Sequence, residues 1–200
     1  MNLLTDKLPT SLLIDGYEYP VNSDFRTMIQ FEVMMFDEDL SDKERITQAL
    51  ELFYRECPHD IAQAIDRLLW FYRCGKDEES NAKASSGGSG ERIYSFTHDD
   101  AYIFSAFLNQ YAINLQEIEY LHWWQFRALF KSLNDSQEFV KIMRFRAMDL
   151  SKITDKEQKA YYKKMKEIYK IPNSHQEHDK KELDELTNAL LNGGDVSNLL

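Results

Sequence analysis

Residues 120–131 read YLHWWQFRALFK, and no other stretch constrains the fold as much. Placed on a helix, Leu121, Trp123, Trp124, Phe126, Ala128, Leu129 and Phe130 surround most of its circumference. A helix apolar on nearly every side is usually enclosed by others, so the stretch predicts the central helix of the second half of the chain. Leu121, His122, Trp123, Trp124, Phe126 and Arg127 are its signature residues. They form either core or an exposed aromatic edge that docks another chain, since Trp and Arg are favoured anchors. Glu119 stands one turn before His122 and Arg127 is nearby, which predicts a hydrogen-bonded structural network. No second His or Cys falls three or four residues from His122, so the spacing of a helical metal site is missing.

The elements that enclose such a helix can be read in order. SLLIDGYEYPV predicts a β-hairpin turning at Asp15-Gly16 and ending at Pro20. Phe25, Met28, Ile29, Val33 and Phe36 predict a helix over 24–37, with Asn22 or Ser23 as N-cap. Ser41 and Glu44 form a capping box for the next helix, and a third runs from Asp60 to Gly75. Beyond residues 75–91 the sequence predicts a helix over 98–112 capped by Thr97, and one that starts at Asn114 and carries the aromatic stretch. A shorter helix in SQEFVKIMRFRAM follows, then a longer one with Thr154 and Glu157 as capping box. On this last helix Tyr161, Tyr162, Met165, Ile168 and Tyr169 make an apolar stripe beside a lysine face.

Between the two helical parts lies GKDEESNAKASSGGSGE, with no apolar residue larger than alanine, which predicts a flexible insert. The expected organisation is a hairpin plus three helices over 1–74, a linker over 75–91, a helical part over 92–171 packing with the first, and a polar mobile tail over 172–200. In that tail Leu183, Leu186, Ala189 and Leu190 share one face of a weak amphipathic helix and are candidates for folding on a partner. The fold class is mainly α, a helical bundle-like domain with a small N-terminal β-hairpin.

Charge and composition narrow the function. The formal charge is −10. Residues 1–140 carry 12 Lys/Arg against 24 Asp/Glu, residues 141–170 carry 10 against 4, and residues 171–200 carry 2 against 6. Only the 141–170 segment could meet phosphate, and the acidic remainder argues against nucleic acid as a partner. No run approaches the roughly 18 apolar residues a membrane span needs, and the N-terminus lacks the pattern of a signal peptide. The expectation is a soluble protein of the bacterial cytoplasm, with Cys57 and Cys74 as reduced, largely packed thiols.

Two arrangements suggest chemistry. His59-Asp60 and His98-Asp99 resemble fragments of an HD-type metal-dependent phosphohydrolase, but both pairs stand at predicted helix starts, where Asp serves as a cap. SSGGSG lacks the Lys-Ser/Thr of a phosphate loop. The expectation is therefore no enzyme, no catalytic residue, no metal and no cofactor.

Taken together, LTDKLPTSLLIDGYEYPVNSDFRTMIQFE, YLHWWQFRALFKSL and RFRAMDLSKITDKEQKAYYKKMKEIY resemble the bacteriophage gene product fifteen family of tailed phages and prophages of Gram-positive bacteria. The resemblance spans about residues 1–171 apart from the insert, and the tail departs from it. It implies a tail assembly chaperone that binds tape measure protein, tail tube protein or both, and that can self-associate. A structural component retained in the virion tail is the principal alternative.

Overall fold

The computed structural model describes residues 2–76 and 92–172. Asp15 and Gly16 take φ of 47° and 80°, the left-handed pair that a two-residue hairpin turn requires. Strand β1 (Ser11–Ile14) thus folds back antiparallel on β2 (Tyr17–Pro20), pairing Leu12 with Tyr19 and Ile14 with Tyr17. Alternation buries Leu12 and Ile14 and turns Leu13 to solvent.

Seven α-helices follow among the described residues, so the protein is mainly α as its periodicity predicts. They are α1 (Phe25–Met35), α2 (Asp42–Phe53), α3 (Ile61–Tyr72), α4 (Asp100–Tyr111), α5 (Trp123–Lys131), α6 (Glu138–Ala147) and α7 (Lys156–Ile168). A 3-10 turn over Leu150–Lys152 leads into α7. The Ser41–Glu44 capping box forms as read, and Asp60 caps α3 by accepting from the Gln63 amide at 3.0 Å.

Four starts differ from expectation, each for a tertiary reason or a stronger neighbouring cap. Helix α1 is capped by Asp24. Asn22 serves α2 instead, its amide nitrogens donating to the Leu52 and Phe53 carbonyls at 2.8 Å. Thr97 does not cap α4; Asp99 holds the cap position without a capping bond, because its carboxylate is taken by Arg146 and the Ser95 amide. Asp155, not Thr154, caps α7, accepting from Gln158 N–H at 2.7 Å.

The largest correction concerns the aromatic helix, which begins at Trp123 and not after Asn114. Ala112 ends α4 in the left-handed region, and the Asn114 side chain closes a local turn on Gln116 N–H. The amino end of α1 then captures the backbone between. Arg26 donates to the Leu115 and Ile118 carbonyls at 2.9 and 2.7 Å, Asp24 accepts from Leu121 N–H at 3.1 Å, and Phe25 N–H donates to the Leu121 carbonyl at 2.9 Å. Groups that a helix would pair internally are bound to α1.

The described residues as far as Tyr169 form one compact unit. Its core runs through both helical parts, from Ile14 and Phe53 through Phe71 to Trp123, Phe126 and Phe139. Phe126 lies at the centre, stacked on Phe25 and on Phe107 with ring centroids 5.0 Å apart in each case. The Gly/Ser insert from residue 77 to 91 and the candidate tail contacts Leu183, Leu186 and Leu190 lie outside the described residues.

Candidate functional site

His122 is the N-cap of α5, and its ring is 2% exposed. Nδ1 accepts from the Trp124 amide at 3.1 Å, which fixes the neutral ring's proton on Nε2, where it donates to the Pro9 carbonyl at 3.1 Å. The partners expected from sequence, Glu119 and Arg127, are not the ones the ring uses. Burial pushes the imidazole pKa below its ordinary value, against a smaller upward pull from the Pro9 carbonyl. A ring with both nitrogens engaged inside a core has no position open to substrate.

The two tryptophans close the carboxyl end of α3. Trp123 Nε1 donates to the Tyr72 carbonyl at 2.9 Å and Trp124 Nε1 to the Phe71 carbonyl at 2.8 Å, both in the last turn of α3, where the Phe71 carbonyl also accepts from Cys74 N–H at 2.9 Å. Trp123 is fully buried and Trp124 is 5% exposed. Leu121 and Phe126 are buried with them, so of the six signature residues only Arg127 reaches solvent appreciably.

Arg127 also joins a buried network that sequence spacing does not reveal, because its members come from four distant segments. Glu32 on α1 is 6% exposed and accepts from the Tyr72 hydroxyl and, at 3.4 Å, from that of Tyr94. Arg127 Nη1 donates to the Tyr94 hydroxyl at 3.2 Å, and its guanidinium lies 5.2 Å from the Trp123 ring centroid. Burial, followed by the Glu32 charge, holds the Tyr72 hydroxyl far above its ordinary pKa. On the outer side of Arg127 a cavity of about 390 Å³ opens between α3 and α5, lined among others by Trp124, Ala128 and Lys131.

A second concavity, a groove of about 580 Å³, lies between α1 and α2. Its walls are Ile29, Val33, Met34, Leu40 and Leu52, and its polar edge is Gln30, Asp37, Gln48 and Glu51. Val33 in its wall is 37% exposed, and Met35, Phe36 and Ile46, elsewhere on α1, its cap and α2, are 43–47% exposed. Arg92 covers one face of Phe36 at 3.7 Å.

The two His-Asp pairs are separately engaged. His59 and His98 are exposed, Asp60 caps α3, and Asp99 is fully buried against Arg146. Among the described residues no three His, Cys, Asp or Glu side chains converge as a metal site, and no helix is long and apolar enough to cross a membrane. Cys57 is exposed, contrary to its expected packing, because it lies in the turn after α2; Cys74 is half-buried at the end of α3.

Residues 4–171 match the family described as Bacteriophage Gp15 protein. The chain belongs to that family. Comparisons with curated proteins and with solved structures return no match. Membership makes this Gp15 family member a bacteriophage protein related to virion structure or assembly. The matched range takes in the hairpin and all seven described helices.

Proposed function

We propose that the protein is a non-enzymatic tail assembly chaperone that acts in the bacterial cytoplasm, binding tape measure protein, tail tube protein or both during tail morphogenesis. The observation that carries this reading is the open α1/α2 groove, apolar along its walls and edged by Asp37 and Glu51. An amphipathic helix of a client can lay its apolar face into such a groove while the carboxylates keep the complex soluble. A tape measure protein is a long, apolar, helical chain that needs its faces covered until tube subunits enclose it. The engagement of Asp60 and Asp99 as cap and buried ion partner supports a binding role over metal-dependent hydrolysis.

Co-expression with the phage's own tape measure protein tests the proposal. The expected result is a soluble, co-purifying client, and Val33→Asp, which places a charge on the groove wall, abolishes co-purification without lowering the melting temperature of the chaperone alone. A client equally soluble with and without the chaperone overturns it.

A further inference from the structure

The cavity between α3 and α5 shares no lining residue with the α1/α2 groove, and its chemistry is of a different kind. Arg127 and Lys131 stand one helical turn apart on α5, Arg73 and Lys76 come from the end of α3, and among the described residues no carboxylate lines the space. Four cations thus converge on one cavity of a chain whose formal charge is −10.

Among the described residues no carboxylate is in ion-pair contact with Lys76, Arg127 or Lys131. The Nε of Arg127 is buried without a hydrogen-bond partner. Burial first, and then repulsion by the charges of Arg127 and Lys76, hold the Lys131 ammonium below its ordinary pKa. An entering anion relieves that repulsion. The remaining surface is apolar, with Leu3, Trp124 and Ala128 beside the cations.

We propose that this cavity binds a carboxylate of an acidic segment in a protein partner, with Arg127 and Lys131 taking the carboxylate and Leu3, Trp124 and Ala128 receiving the apolar side chain next to it. A bidentate guanidinium beside a mobile ammonium suits a carboxylate. A nucleic-acid strand is disfavoured because a run of phosphates would meet a chain whose formal charge is −10. A short acidic segment brings only one or two charges and an apolar neighbour that fits the floor. The site stands independently of whether the α1/α2 groove binds a client.

The test uses the full chain and a fluorescein-labelled peptide with a leucine between two glutamates, followed by anisotropy. The expected result is binding that weakens with added salt, and that Lys131→Glu and Lys76→Glu each weaken about tenfold while the melting temperature is retained. Because Arg127 also reaches the core, Arg127→Gln is a supporting variant and the two lysine reversals decide. Peptide binding indifferent to both reversals overturns the proposal. So does a single-stranded oligonucleotide that binds more tightly than the peptide with the same lysine dependence. Asp77, Glu78 and Glu79 follow Lys76 directly in the sequence. If the peptide binds only after Asp77→Asn, Glu78→Gln and Glu79→Gln, the chain neutralises its own cavity and the partner site is refuted.

Discussion

Each indole of the Trp123-Trp124 pair fills core volume and also completes the end of another helix, so substitution separates two contributions. Trp123→Phe keeps an aromatic ring but leaves the Tyr72 carbonyl buried without its donor, an expected cost of about 1–3 kcal/mol. Trp123→Ala adds a cavity and is expected to cost about 3–5 kcal/mol, both read from urea unfolding. His122 gives a pH signature. Its folded pKa lies below the ordinary value of about 6.5, so the unfolded chain binds the proton more readily. The stability it contributes is complete above about pH 6.5 and is lost as pH falls from there through the folded pKa. Protonation also removes the Nδ1 acceptor that caps α5. His122→Asn, which retains a capping acceptor, is expected to flatten this part of the stability-pH curve measured by denaturant titration.

At the scale of elements, α7 has no buried residue, and it is held mainly by the aromatic cluster of Phe145 with Tyr161, Tyr162 and Tyr169 and by a latch at its end. The latch is Arg146 on α6, which pairs with Asp99 through bonds of 2.6 and 2.8 Å and donates from Nε to the Tyr169 carbonyl. Both partners are deeply buried. Arg146→Met strands the Asp99 carboxylate and is expected to destabilise by about 3–5 kcal/mol, with hydrogen exchange in α7 accelerating before that in α5. Replacing both partners by apolar residues is expected to cost less than that single change, a non-additivity that a double-mutant cycle measures. The short α5 follows from the same competition. Arg26 and Asp24 bind the backbone of 115–121 from α1, so periodic sequence there is held as loop.

The molecule carries two concavities of different chemistry. Ile29, Val33, Met34, Leu40 and Leu52 line one groove, and the cations of Arg73, Lys76, Arg127 and Lys131 a separate cavity. On the proposed chaperone role the chain leaves when tube subunits replace it, so finished phage particles are expected to contain none of it while infected-cell lysate does; mass spectrometry of purified virions reads the difference. Retention in virions at fixed copy number would mean a structural tail component instead. The mainly helical class, the hairpin at Asp15-Gly16 and the Ser41 capping box were legible in sequence, because turn preference, capping and periodicity act over a few residues. The enclosure of Trp123 and Phe126 was legible too, since aromatic residues on every side of a helix leave no face for water. Only the tertiary structure decided where α5 begins, that His122 answers Pro9 and not Glu119, that Asp99 is an ion partner before it is a cap, and that Arg127 faces Glu32's network on one side and a basic cavity on the other. Each of these depends on groups about 30 to 110 residues apart competing for the same donors and acceptors, and that competition is settled by which segments the core brings together.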